Sequence, residues 1–323
     1  METLRQPVIC IVGPTASGKT AFSQLLARTV DAEIISADSM QIYCGMDIGT
    51  GKPALDERSV PHYGFDLCQP GEAFSVALFQ DYARSCISRI DAAGKRPMIV
   101  GGTGFYLRAA IDDYHFPQGD QLNNPVRERY NAYALENGSD ALWNLLQQRD
   151  PESAALIPPN DVKRVVRAFE LLSSGVTYAQ QKAKLQVLPA YLPSVQFGLK
   201  VSPEILAKRI DARVDAMLEE GWLEEVRTLL DAGFRDGLTA PQAIGYTELL
   251  EVLEGEQTLE QAAERIKTGT RRYAKRQRTW FRKDARITWI DADDLDFDRM
   301  LGQALPVLAA ADERYRRERA QEG

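Results

Sequence analysis

Apolar positions follow two signatures along this chain. Short unbroken runs read as buried strands, and longer segments with apolar residues three and four apart read as helices. The first run is Val8-Ile9-Cys10-Ile11-Val12, and a helical segment over 21–29 follows it, with Phe22, Leu25 and Leu26 on one face. Ala32 to Ser36 predicts a second strand and 62–67 a short third. A helix over 75–93 carries Phe79, Tyr82, Ala83, Cys86 and Ile90 at helical spacing. Gly94-Lys95-Arg96-Pro97 then turns into another strand at 98–100. Such alternation predicts a parallel, doubly wound sheet.

The pattern changes over 124–190. Helices are predicted there over 126–136, 140–148, 161–172 and 178–185, with no strand. Strand signatures return at 195–201 and 287–290, among helices over 203–220, 223–232, 242–253, 259–283 and 299–319. The expected fold class is α/β: a core with a mainly parallel doubly wound sheet in two parts, 1–123 and 191–323, plus an all-helical insertion domain, 124–190.

Between the first strand and the first helix stands Gly13-Pro14-Thr15-Ala16-Ser17-Gly18-Lys19-Thr20, which fits the phosphate-cradling pattern G-x-x-x-x-G-K-[ST]. Strand, glycine loop and helix form the context that this P-loop motif demands. Small residues let successive N–H groups turn inward, and the helix N-terminus adds its positive end. Lys19 brings a full charge to the outer phosphate, and the Thr20 hydroxyl can hold Mg²⁺. The loop alone leaves open whether the phosphate belongs to ATP, another nucleotide or a different compound. Asp38 follows the second strand directly, where open α/β sheets gather their ligands.

Composition is that of an ordinary globular protein: 323 residues, 44% hydrophobic and 26% charged. No apolar run approaches a membrane span, and the first residues lack a signal peptide's apolar middle, so a cytoplasmic location without membrane contact is expected. Cys10, Cys44, Cys68 and Cys86 are widely spaced and read as free thiols. His62 and His115 are the only histidines, which argues against catalysis by a histidine pair.

A net charge of −7 taken alone argues against a nucleic-acid partner, but the average hides a segregation. Residues 271–286 hold eight basic residues against one acid, interleaved with Tyr273, Trp280 and Phe281. A smaller basic group, Lys163, Arg164 and Arg167, lies in the predicted insertion. Dense positive charge with aromatics is the footprint of nucleic-acid binding, although a charge run is also what a solvated helix face shows.

The chemistry at the loop is narrowed by what the sequence lacks. The strand at 98–100 ends in Gly-Gly-Thr-Gly, without the acid that usually supplies a second Mg²⁺ ligand in P-loop NTPases. The guanine-reading N-K-x-D is also absent. A GTPase switch or motor is therefore disfavoured, while a small-molecule kinase or a nucleic-acid-binding ATPase survives.

Six stretches resemble the bacterial tRNA dimethylallyltransferases: Gly13–Thr20, Ser36-Ala-Asp-Ser-Met-Gln-Ile-Tyr43, Gly45-Met-Asp-Ile-Gly-Thr50, Gly101-Gly-Thr-Gly-Phe-Tyr106, Pro241-Gln-Ala-Ile-Gly-Tyr246 and Tyr273-Ala-Lys-Arg-Gln-Arg-Thr-Trp-Phe-Arg282. The matches run in order from residue 7 to about 290. Gly51 departs from the family, which usually has alanine there. The resemblance implies that the loop holds the diphosphate of dimethylallyl diphosphate and that the five-carbon group moves to N6 of the adenine at tRNA position 37, beside the anticodon. That explains the missing second acid, since no phosphoryl group is transferred.

The resemblance further implies site residues. Gly13, Pro14, Thr15, Ala16, Ser17, Gly18, Lys19 and Thr20 would bind diphosphate, with Thr20 on Mg²⁺. Arg213 would add a cation at the leaving group, and Asp38 would accept the N6 proton. tRNA contacts would come from Asp38, Ser39, Met40, Gln41, Gly104, Val162, Lys163, Arg164, Val165, Val166, Gln242, Gly245, Tyr246, Thr247, Lys275, Arg276, Gln277, Arg278, Trp280 and Arg282. The insertion would grip the anticodon stem-loop, and the protein would act as a monomer. An adenylate isopentenyltransferase is the nearest relative reading; the insertion and the basic segment argue against it, because a mononucleotide needs no such surface.

Overall fold

The computed structural model describes residues 4–116, 124–186 and 188–322. Among these, the core is a six-stranded, all-parallel sheet. Its strands are β1 (Val8–Val12), β2 (Ala32–Ser36), β3 (His62–Tyr63), β4 (Arg96–Gly101), β5 (Ser194–Lys200) and β6 (Ile287–Asp291). They lie in the order β3-β2-β4-β1-β5-β6. β1 sits between β4 and β5 and is wholly buried, which explains its unbroken apolar run.

Helices α1 (Lys19–Thr29), α2 (Val76–Ala92) and α3 (Gly104–Ile111) belong to the first half of the core. β4 starts earlier than the predicted 98, because Arg96 and Pro97 pair with Ala32 and Glu33 of β2. Pro97 is tolerated because the pairing with β1 begins only at Met98, so no ladder bond is lost there. Arg96 is 3% exposed; it donates to the Pro7 carbonyl and grips Asp312 with both terminal nitrogens. α3 follows directly on the glycine turn, where no helix was predicted.

Residues 113–189 form a separate compact unit, beginning earlier than the expected 124. The chain leaves the core at Asp112 and re-enters at Ala190, and these two residues form an antiparallel bridge. The unit contains α4 (Pro125–Asn137), α5 (Ser139–Arg149), α6 (Pro151–Ala154), α7 (Val162–Ser173) and α8 (Tyr178–Gln186). Asn124 starts α4 by accepting the Val126 and Arg127 N–H groups ahead of Pro125, a strong N-terminal signal. The unit has its own core, with Tyr130 stacked on Phe169 at 3.9 Å between centroids. Burial raises the Glu170 carboxyl, yet hydrogen bonds from Arg127 (2.6 Å) and Arg167 (2.9 Å) win and hold it below the usual carboxylate range.

The core resumes after β5 with α9 (Pro203–Glu219), α10 (Trp222–Asp231), α11 (Tyr246–Leu253), α12 (Leu259–Phe281) and α13 (Phe297–Glu322). α11 begins at Tyr246 and not at 242, because Ala240–Gln242 forms a short 3₁₀ turn around Pro241. Among the described residues, no helix is long and apolar enough to cross a membrane.

Candidate active site

The loop between β1 and α1 takes its shape from residues that tolerate left-handed backbone. Gly18 has φ +88° and Ala16 φ +59°. The φ of Gly18 favours glycine, and a Cβ there would come within 2.5 Å of the end of the Leu295 side chain, which would have to shift. The Lys19 ammonium donates to the Pro14 carbonyl at 2.7 Å, while the Thr15 N–H donates to Gln277 Oε1 at 2.9 Å.

A cavity of about 320 Å³ opens at the C-terminal ends of the strands, where open α/β sheets place their ligands. Thr15, Lys19 and Thr20 line it together with Asp38–Gln41, Gly49–Gly51, Gly101, Gly102, Arg213 and Gln277. An apolar part is made by Ile210, Val214, Met217, Trp222, Ala243 and Ile244. The volume lies within the range of about 300–1,000 Å³ usual for small-molecule sites.

Three cations, Lys19, Arg213 and Arg276, and one carboxylate, Asp38, line it. Lys19 and Arg213 are shifted by burial. Burial pushes the Lys19 ammonium down to about 8, with Asp38 opposing the shift and Arg213 adding to it. Arg213 is likewise lowered by burial, against the pull of Asp38 and Glu220. Both are therefore primed to gain a negatively charged ligand. One Asp38 oxygen accepts the Met40 N–H at 2.9 Å, which fixes the carboxylate against its own turn. Thr103 Oγ1 accepts the Ser39 N–H at 3.1 Å and ties that turn to the end of β4. Tyr273 stands close to Asp38, its phenol pushed up to about 12, mainly by burial.

The site residues expected from sequence divide into groups. Thr15, Lys19, Thr20, Asp38, Ser39, Met40, Gln41, Arg213, Gln242, Tyr246, Arg276 and Gln277 meet at the cavity. Gly13, Pro14, Ala16, Ser17 and Gly18 complete the loop's backbone. Arg276 also shares a second groove, on the outer face of α12, with Arg272, Lys275, Thr279, Trp280 and Lys283. Within the eight-cation segment, Arg271 is bound to Asp211 and Arg286 to Asp112 and Asp284. Arg272, Lys275, Arg276, Arg278, Arg282 and Lys283 have no carboxylate partner among the described residues.

The other residues expected to contact RNA are placed as follows. Val165 and Val166 are 0% and 3% exposed in the helical unit's core, where the apolar face of α7 must go; only Lys163 and Arg164 of that stretch are exposed. Gln277 is 5% exposed and bridges the Thr15 N–H to the Gly102 carbonyl, which accepts from Nε2 at 3.1 Å. Tyr246 is 1% exposed, its hydroxyl donating to Glu225 at 2.6 Å. Gly104 is covered by Trp280, whose Nε1 would lie 2.0 Å from an added Cβ. Gly245 is covered by Trp222 in the same way, at 1.9 Å. Thr247 is exposed and donates to the Pro241 carbonyl.

Trp222 is the organising residue that sequence reading missed. It is 2% exposed, and its indole abuts both Gly49 and Gly245, so that a Cβ on either would overlap it at about 2 Å. The glycines of two distant motifs are thus the two sides of one slot. No local pattern shows this. Gln277 did carry a signal: Ala262, Ile266, Ala274, Gln277 and Phe281 make one buried stripe at helical spacing.

The IPP transferase family profile matches residues 41–284, and an isopentenyl transferase profile matches 6–60. The chain belongs to the IPP transferase family. A tRNA dimethylallyltransferase of Bacillus subtilis (strain 168) is 45% identical over 293 residues, 90% of this chain and 92% of that protein. Another, from Halalkalibacterium halodurans, is 43% identical over 301 residues, covering 92% and 95%. The crystal structure of a full-length tRNA isopentenylpyrophosphate transferase from Bacillus halodurans superposes with a TM-score of 0.71 at 41% identity, over 98% of this chain and 99% of that one. A eukaryotic dimethylallyltransferase acting on tRNA gives 0.75 at 31% identity, over 93% and 77%.

Proposed function

We propose that this member of the family transfers a dimethylallyl group from dimethylallyl diphosphate to tRNA, at N6 of the adenine at position 37, releasing diphosphate. The observation that carries the reading is the single cavity in which Lys19, Arg213 and Asp38 face one another beside an apolar wall. An adenine amino group is a weak nucleophile, since its lone pair is delocalised into the ring. The allylic carbon compensates by gaining cationic character as its bond to the diphosphate oxygen breaks. Lys19, Arg213 and the loop N–H groups then stabilise the charge that collects on the departing oxygens. As the new C–N bond forms, the N6 proton passes to Asp38, held by its turn for that role. The apolar wall suits the five-carbon group, and excluding water there protects the allylic cation from hydrolysis.

Mg²⁺ fits this site through Thr20. Its hydroxyl has no hydrogen-bond partner among the described residues, and they form no group of three or more His, Cys, Asp or Glu suited to a metal. The ion would rest on Thr20, diphosphate oxygens and water, as Mg²⁺ commonly does, and would supply further charge neutralisation at the leaving group. The acceptor adenine must leave its stack to reach the cavity. The outer face of α12, with Lys275, Arg276, Arg278, Arg282 and Trp280, suits the anticodon stem-loop, as do Lys163 and Arg164 of the helical unit. On this reading the enzyme acts as a monomer in the cytoplasm.

The test offers labelled dimethylallyl diphosphate with tRNA or AMP as acceptor, and separately ATP with small acceptors. Label on tRNA adenine 37 is the expected result. Prenylated AMP without a tRNA product would move the protein to the adenylate isopentenyltransferases, and phosphoryl transfer from ATP would make it a kinase.

A further inference from the structure

Lys275 and Arg276 are exposed on α12, whereas the next residue, Gln277, is buried against the cavity. The rest of its buried stripe is apolar: Ala262, Ile266, Ala274 and Phe281. An amide costs free energy in such a place unless both its ends are hydrogen-bonded, so packing alone does not call for one. Here both ends are used. Oε1 accepts the Thr15 N–H at 2.9 Å, and Nε2 donates to the Gly102 carbonyl at 3.1 Å. A donor on one side and an acceptor on the other leave the amide a single orientation.

The Thr15 N–H belongs to the same peptide as the Pro14 carbonyl, and that carbonyl accepts the Lys19 ammonium at 2.7 Å. A trans peptide is rigid and planar, with its N–H and C=O directed to opposite sides. Gln277 therefore holds one side of this plane while Lys19 rests on the other. The peptide lies between the end of β1 at Val12 and the start of α1 at Lys19, so no strand or helix ladder fixes it. At its other end the amide holds Gly102, the neighbour of Thr103, whose hydroxyl accepts the Ser39 N–H beside Asp38. One side chain thus spans the leaving-group side and the proton-acceptor side of the cavity.

We propose that Gln277 is a positioning residue for the reaction: it fixes the Pro14–Thr15 peptide against the Gly102 turn and so sets the Lys19 ammonium where the leaving diphosphate gathers charge. This rests on the reading of Lys19 given above. Although it lies in the basic segment, Gln277 acts through Lys19 and not through contact with RNA. A lysine is long and flexible, and its charge helps a departing group most when it is already in place.

The test compares single-turnover rates at saturating dimethylallyl diphosphate and tRNA for Gln277→Met, Gln277→Leu, Lys19→Ala and the double variant of Lys19→Ala with Gln277→Met. Met and Leu both delete the amide at similar volume but differ in shape, so a defect common to both comes from the lost hydrogen bonds. Misplacing the ammonium by about 1 Å should slow the chemical step on the order of 10²-fold. Affinity for an anticodon stem-loop, and its salt slope, should match the parent's. Because Gln277 acts through Lys19, Gln277→Met should add little further slowing on the Lys19→Ala background. Should both Gln277 variants fold poorly, hydrogen exchange in the parent protein still decides, since the Thr15 amide should exchange slowly although it lies in a loop at an open cavity. Normal chemistry in both Gln277 variants, equal slowing by Gln277→Met in both backgrounds, or rapid exchange at Thr15 overturns the proposal and leaves the role of Lys19 standing. Weakened stem-loop binding with normal chemistry also overturns it and makes Gln277 an RNA contact. Normal chemistry in Lys19→Ala overturns the role of Lys19 and the proposal with it.

Discussion

An acidic protein is assigned a polyanionic substrate, and the structure divides its basic segment in a way that salt can test. Arg271 is committed to Asp211, whereas Lys275, Arg276 and Arg278 have no carboxylate partner among the described residues. Each cation that contacts an RNA phosphate contributes about 0.7–0.9 to the slope of log affinity against log salt. Over a rise from about 50 to 200 mM salt, each contact thus accounts for roughly a threefold loss of affinity. Replacing Lys275, Arg276 and Arg278 together by alanine should shrink the slope by about 2–3. Arg271→Ala should leave it unchanged, since that charge is already neutralised within the fold. Trp280→Ala is the uncharged counterpart: the ring is 44% exposed and covers Gly104. If a base stacks on it, its loss costs about 1–3 kcal/mol without altering the slope. The assay is filter binding or fluorescence anisotropy of an anticodon stem-loop over a salt series. A triple variant with the parent slope, or Arg271→Ala with a reduced one, would refute the assignment of this face to RNA.

Three more outcomes are expected. Asp38→Asn keeps the turn's shape but removes the proton acceptor, so turnover should fall by about 10²–10⁴-fold while diphosphate affinity holds; near-normal turnover would leave Asp38 a turn residue only. Lys19 sits at about 8 in the cavity, and a bound diphosphate must raise it. Affinity is then full below that value and declines as pH climbs through it, with proton uptake on binding; calorimetry in buffers of different ionisation enthalpy reads this, and uptake of no proton near pH 8.5 refutes it. Trp222→Ala empties the slot between two glycine loops and should cost about 3–5 kcal/mol in denaturant unfolding; a change below about 1 kcal/mol would mean that the loops collapse onto each other unaided.

Features set by neighbouring residues were legible in the sequence. β1, the glycine loop and α1 are one continuous local pattern, and the helices of 113–189 follow from apolar spacing and from signals such as Asn124-Pro125. α3 was not legible, because its start, Gly104, is a poor helix former chosen for a distant reason: the Trp280 ring lies on it. Arg96-Pro97 reads as a turn until Asp312 arrives to hold the arginine inside. The same division runs through the site. Lys19 and Asp38 are marked by motif and strand end, and Gln277 falls on the buried stripe of α12, whereas Trp222 and Glu225 depend on contacts between segments far apart in the chain.

The position of β1 in the middle of the sheet has a consequence for biogenesis. The strand is made almost first, yet its partners come late: Met98 of β4 opposite Ile9, and Ser194 of β5 opposite Val8. At synthesis rates of about 5–20 residues per second, its second edge stays unpaired for roughly 10–40 seconds. During that time Val8–Val12 is a bare apolar strand with one open edge, the kind of segment that pairs wrongly with other chains. The helical unit lengthens the delay, since all of it is translated between the two partners. Because its own core is built from neighbouring helices, that unit can fold while the sheet waits.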